Sequence, residues 1–169
     1  MSDARAQILL ASPEATCALA RSLASCLCPG DTLLLSGGVG AGKTHFARCL
    51  IQSLLLSPED VPSPTYTLVQ TYQGQSGEIW HADLYRLGDA MDLVELGLTD
   101  AFTDAICLIE WPDRLGDLTP PDALLLDFDT VPRPGAEDHR LLRIMWQGDR
   151  WGQRLKGRMC APFCKSPAT

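Results

Sequence analysis

Asparagine is absent from all 169 residues of this chain, lysine occurs only at Lys43, Lys156 and Lys165, and aromatic residues make up 7%. Neither Lys156 nor Lys165 is followed two residues on by an acid, so the Asn/Thr-Lys-x-Asp element that reads guanine is missing. No segment approaches the roughly 20 uninterrupted apolar residues of a membrane span. The N-terminus, MSDARAQILLASPEAT, lacks a basic region followed by a long apolar stretch, and so does not read as a secretory signal. A soluble, cytoplasmic protein with no membrane partner is expected.

Basic charge is scarce in the body of the chain. Residues 1–130 hold 6 basic and 18 acidic side chains, whereas residues 131–169 hold 8 basic and 3 acidic. The body should repel nucleic acid, because affinity for phosphate backbones comes largely from Lys and Arg. If RNA is involved, the C-terminal segment or a partner must supply the contact. The preferred reading of that basic end is a solvated strand and a loose tail.

Cysteine is not scarce, but its pattern argues against a disulfide framework. Seven is an odd number, and Cys17, Cys49 and Cys107 fall where apolar residues are expected, so they read as reduced small hydrophobes. Cys26 and Cys28 with Cys160 and Cys164 could be drawn as a zinc site. Neither pair has the usual two-residue spacer, and incidental thiols are the preferred reading.

What is present is an alternation of strand and helix signals. Ser12 and Pro13 open an amphipathic helix over 13–27, with Ala15, Ala18, Leu19 and Leu23 on one face. TLLLS reads as a buried strand, and Phe46, Cys49, Leu50 and Leu54 repeat at helical spacing after it. VPSPTYTLVQTY reads as a constrained loop entering a strand, and EIWHADLYRL as a strand ending near Asp83. A helix follows from Asp89 to Leu96, stopped by Gly97, and AICLIEW is a further buried strand closed by Pro112. DALLLDFDT and HRLLRIMWQG predict an antiparallel pair. The expected fold is α/β, a mixed sheet flanked by helices, with that pair toward the C-terminus. One domain over 1–149 and a basic, partly disordered tail over 150–169 complete it.

The chemistry starts in LLLSGGVGAGKTHF. Gly37, Gly42, Lys43 and Thr44 match GxxxxGK[ST], between a buried strand and a helix, so the expected α/β mixed sheet is P-loop NTPase-like. Glycines let successive amides turn inward around phosphate oxygens, and the helix N-terminus adds positive potential. Gly38, Val39, Gly40, Ala41, Gly42, Lys43, Thr44 and His45 are therefore candidate nucleotide-binding residues. Lys43 should reach the terminal phosphates and Thr44 should ligate Mg²⁺.

Such a site needs a further acid, normally at the end of a neighbouring strand. Asp83 and Glu110 both qualify, although either could be an ordinary strand-end carboxylate. Lys43, Asp83 and Glu110 are the candidate catalytic residues, and Thr44, Glu110 and Asp83 the candidate metal ligands. Without a guanine-reading element, ATP is the expected nucleotide. The chain is too short for a helicase or motor core. A small regulatory ATPase or a shikimate-kinase-like enzyme remains, with Arg133 and Arg140 on a lid in the latter. The kinase loses ground because SPTYTLV stands where its acidic substrate motif belongs.

SPTYTLV (Ser63 to Val69), HADLYRL (His81 to Leu87), ELGL (Glu95 to Leu98) and AICLIEW (Ala105 to Trp111), in that order behind the P-loop, resemble the bacterial TsaE family, also called YjeE. The similarity covers about residues 12–130 and rests on an ordered set of motifs, more specific than any P-loop alone. It implies an ATPase that assists TsaD and TsaB in making threonylcarbamoyladenosine on tRNAs reading codons that begin with A. It also implies that tRNA is met only indirectly, unless through the basic C-terminal segment.

By motif, the resemblance makes Glu110 a Mg²⁺ ligand, Asp83 a second essential acid and Trp111 a neighbour of the nucleotide. It places the adenine end near Pro13 to Thr16, and makes SPTYTLV a switch-like loop in which Thr65 or Thr67 senses the γ-phosphate. Two residues depart from the family pattern, which usually has an acid at the position of Gly38 and a second Thr or Ser at that of His45.

Overall fold

The computed structural model describes residues 4–158. Strand β1 (Ala4–Leu10) precedes the first helix and was not anticipated, although Ile8 and Leu10 turn inward while Gln7 and Leu9 face out. Helix α1 (Pro13–Ala24) starts where expected: Ser12 Oγ accepts from the Ala15 amide at 3.1 Å, and Pro13 takes the first turn.

Strand β2 (Thr32–Gly37) and helix α2 (Lys43–Leu54) flank the glycine loop. Strands β3 (Val69–Gly74) and β4 (Gly77–Asp83) form a hairpin. Next come α3 (Met91–Glu95), α4 (Leu98–Asp104) and β5 (Ile106–Glu110). Helix α4 escaped the sequence reading because Gly97, left-handed at φ 84°, stops α3 and also sits at the start of α4. A 3-10 segment (Pro112–Leu118) leads to β6 (Leu124–Thr130), β7 (Arg140–Trp146) and α5 (Arg150–Arg158).

The seven strands form one sheet in the order β1-β7-β6-β2-β5-β4-β3. Its centre, β6-β2-β5-β4, is parallel, and both margins are antiparallel, including the expected β6–β7 pair. The expected α/β mixed sheet is therefore what the chain forms. Strands β2 and β5 are buried on both faces, which is why they read as continuous apolar runs. Leu33, Leu35 and Leu108 pack with α1 and α2 on one face, while Leu34, Cys107 and Ile109 pack with α3 and α4 on the other.

Two expectations are corrected. Residues 150–158 are helix α5 rather than loose tail, docked through Trp151 and Leu155, both at most 1% exposed. Arg154 donates to buried Asp31 at 2.9 and 2.7 Å, and Arg150 pairs with Asp31 and Asp122. Arg143 likewise pairs with Asp127 and Asp129. Much of the basic end thus lies against the acidic body, an attraction that a search for periodicity does not register.

The second correction concerns Cys17 and Cys49, which are joined in a disulfide between α1 and α2 with Cα atoms 5.2 Å apart. Their apolar positions on each helix bring them face to face once the helices pack. Cys107 is a free buried thiol, its pKa pushed up to about 12 chiefly by burial. Cys26 and Cys28 are free, and the zinc alternative's other pair, Cys160 and Cys164, lies outside the described residues with 159–169. No helix among the described residues is long and apolar enough to cross a membrane.

Candidate functional site

The glycine loop is built by backbone that side chains would obstruct. Gly37 has φ 136°, and a Cβ there would collide with the Phe128 carbonyl oxygen of β6. Gly42, at φ 104°, turns the chain into α2, whose first residue is Lys43. Lys43 Nζ donates to the carbonyls of Gly37 at 2.6 Å and Gly38 at 2.8 Å, and stands 4.2 Å from the centre of the Trp111 ring. Burial lowers the pKa of this ammonium, while the charges of Glu110 and Asp83 draw it back up.

The two acids meet through strand register. Parallel pairing of β4 with β5 sets Asp83 opposite Glu110 at the ends of their strands, and Leu35 of β2 opposite Glu110 on its other side. Glu110, 2% exposed, accepts from Thr44 Oγ1 at 3.0 and 2.9 Å and from His81 Nε2 at 2.8 Å. Asp83 accepts from the Tyr85 amide at 3.0 Å and from Thr65 Oγ1 at 3.1 Å. Of the two switch-loop candidates, only Thr65 touches an acid, since Thr67 accepts from Gln70 instead. Hydroxyl and carboxylate oxygens beside a phosphate-type loop are the hard donors that Mg²⁺ takes, so Thr44 and Glu110, with Asp83 adjacent, suit that ion.

A cavity of about 380 Å³ opens against the loop. Pro13 and Thr16 of α1 form one wall, the backbone from Gly40 to His45 another, and Asp138 and Arg140 a third. Thus Pro13, Thr16, Gly40, Ala41, Gly42, Lys43, Thr44 and His45 are brought together here. Thr65, Asp83, Glu110 and Trp111 stand apart from its lining, on the side of Lys43 that faces β4 and β5. Val39 is 83% exposed at the loop tip, and Gly38 has nothing within 4 Å of an added Cβ. Trp111 has left-handed backbone, φ 57°, between β5 and Pro112.

Three residues of this site were not singled out as such in the sequence. His81 looked like an interruption of an apolar strand, yet it is fully buried and holds Glu110. That interruption was itself the available signal. Arg140 had been placed on a kinase lid, but it extends from β7 and donates to the carbonyls of Ala41 at 3.0 Å and Gly40 at 3.3 Å. Asp138 precedes it in the connection from β6. At a separation of 99 residues from Ala41, no local pattern announces the Arg140 contact.

Comparison with known proteins agrees with this geometry. The family described as "Threonylcarbamoyl adenosine biosynthesis protein TsaE" matches residues 10–136. A protein of Rickettsia felis named tRNA threonylcarbamoyladenosine biosynthesis protein TsaE is 36% identical over 138 residues, 82% of this chain and 78% of that protein. Its namesake in Bacillus subtilis is 33% identical over 141 residues, 83% of this chain and 85% of the relative. The crystal structure of Bacillus subtilis YdiB superposes with a TM-score of 0.75 at 24% identity, covering 94% of this chain and 97% of that one, a likeness of fold. With the family matched over most of its length, the chain belongs to the TsaE family.

Proposed function

We propose that this protein binds and hydrolyses ATP in the cytoplasm as an accessory subunit of threonylcarbamoyladenosine synthesis on tRNAs reading codons that begin with A. The relatives' names supply the pathway. The observation that carries the ATPase reading is Glu110, held by Thr44 and His81 and opposed by Asp83 at the mouth of a GxxxxGKT loop. Lys43 would exchange the Gly37 and Gly38 carbonyls for the terminal phosphates, and Thr44 and Glu110, joined by Asp83, would hold Mg²⁺. Bound Mg²⁺ supplies positive charge to the phosphate oxygens. Asp83 and Thr65 form a linked pair positioned to orient the attacking water and to sense the terminal phosphate. The adenine end lies toward Pro13 and Thr16.

The acting partners are TsaD and TsaB. Contact with tRNA is indirect, since Arg143, Arg150 and Arg154 of the basic end already have carboxylate partners within the chain. A small-molecule kinase is less well supported, because Arg140 is engaged with the loop rather than standing on a lid.

ATP hydrolysis should be measured on the purified protein alone, with TsaB and TsaD, and again with Glu110→Ala. Stimulation by the partners that is lost in the variant is expected. Hydrolysis unmoved by the partners but requiring a phosphate acceptor would instead identify a kinase.

A further inference from the structure

We infer that Cys17 and Cys49 form a reversible thiol–disulfide switch that sets the spacing of the nucleotide cavity's walls; this rests on the ATP-binding reading above. Cys17 lies one residue after Thr16 on the α1 wall, and Cys49 lies one turn after His45 on α2. Their Cα atoms are 5.2 Å apart, inside the span a disulfide bridges. The bond therefore straps together the two helices between which the cavity opens.

His45, at the end of the loop, completes the cluster. Its Nε2 is 3.0 Å from the Pro13 carbonyl oxygen, 3.8 Å from Cys17 Sγ and 3.9 Å from Cys49 Sγ. A carbonyl can only accept, so Nε2 carries the hydrogen. The same N–H favours a thiolate when the sulfurs are reduced. Cys17 is partly exposed and Cys49 buried, which makes Cys17 the first to react. These three are, among the described residues, the only group of three or more His, Cys, Asp and Glu side chains whose ligand atoms lie within 4.8 Å of one another, the closeness a metal ion needs. Zinc would need a lone pair on His45 Nε2 and a fourth ligand, whereas that nitrogen is already donating to Pro13.

In the reducing cytoplasm a disulfide of this kind is transient and responsive rather than structural. The oxidant is a small-molecule disulfide such as glutathione disulfide. The Cys17 thiolate attacks it, its S–S bond breaks, a mixed disulfide forms and one small thiolate leaves. Cys49, also as thiolate, attacks Cys17 Sγ of the mixed disulfide and displaces the second. Two electrons pass from the protein pair to the oxidant, and the two protons from the cysteines end on the two small thiols. Reduction reverses this, and α1 is then held to α2 without a covalent bond, so the Pro13–His45 contact and the cavity wall loosen.

The full chain should be equilibrated in glutathione buffers of graded ratio, alkylated, digested and searched for the Cys17–Cys49 linked peptide. The ATP dissociation constant should be measured calorimetrically in the oxidised and reduced forms. The linked peptide should appear and disappear reversibly, and reduction should raise the dissociation constant by about fivefold or more. Cys17→Ser and Cys49→Ala should each bind ATP as the reduced protein does, whatever the buffer. The wild-type comparison stands even where one variant folds poorly.

Absence of the linked peptide at every ratio would overturn the inference, as would equal ATP affinity in the two forms. So would stoichiometric zinc on the reduced protein that is lost in His45→Ala. Binding of ATP in neither form would overturn the nucleotide reading as well, which separates that failure from a failure of the switch alone.

Discussion

Glu110 is held from two directions, by the Thr44 hydroxyl and by the His81 ring, and both donors lie on other elements. Removing the carboxylate in Glu110→Ala should lower partner-stimulated hydrolysis by about a hundredfold or more. His81→Ala removes only the outer support, and losses of that kind cost about 10–100-fold in metal affinity or activity. A Mg²⁺ titration of the hydrolysis rate distinguishes the two: the His81 variant should recover with added metal and the Glu110 variant should not. Gly38 offers the opposite experiment, since its backbone is not left-handed and nothing lies within 4 Å of an added Cβ. Gly38→Asp should therefore fold normally while its charge opposes the triphosphate, raising the ATP dissociation constant about fivefold. An unchanged constant would show that an acid at this position has no bearing on nucleotide affinity.

Among the elements, α5 shows how a basic, aperiodic stretch becomes part of the fold. Trp151 is fully buried and donates to the Asp122 carbonyl at 2.7 Å, and Arg154 spans back to the Asp31 carboxylate beneath it. Hydrogen bonding to Asp31 keeps the Arg154 guanidinium charged, raising its pKa above the ordinary value. Trp151→Ala empties that pocket and should cost about 3–5 kcal/mol. Thermal unfolding should register it as a fall in Tm on the order of 10 °C. A change within error would mean that α5 is only loosely attached.

The predicted helices and strands were legible for related reasons. Ser12-Pro13, the apolar runs of β2 and β5 and the glycine loop are signals carried by neighbouring residues. Strand β1 and helices α4 and α5 were missed because partners elsewhere hold them in place: β7 for β1, the Ala82, Cys107 and Ile109 face of the sheet for α4, and Asp31 for α5.

At the scale of the molecule, the cavity draws its walls from both ends of the chain. Arg140 of β7, itself in the cavity wall, fastens the loop through the carbonyls of Ala41 and Gly40. Arg140→Ala should raise the ATP dissociation constant about tenfold, because charged hydrogen bonds of this kind contribute roughly 1.5–3 kcal/mol to holding the loop. Equal affinity in calorimetry would show that the loop holds its shape unaided.

By itself the sequence determined the phosphate loop, the two acids, the alternating architecture and the family resemblance, since each depends on residue types at fixed spacing along the chain. Tertiary structure decided which side chains serve that loop. His81 with Glu110, Cys17 with Cys49, Ala41 with Arg140 and Asp31 with Arg154 are separated by 29, 32, 99 and 123 residues. Such pairs follow from strand order and register and from helix packing, which are set by how whole faces bury against one another and not by any residue's neighbours.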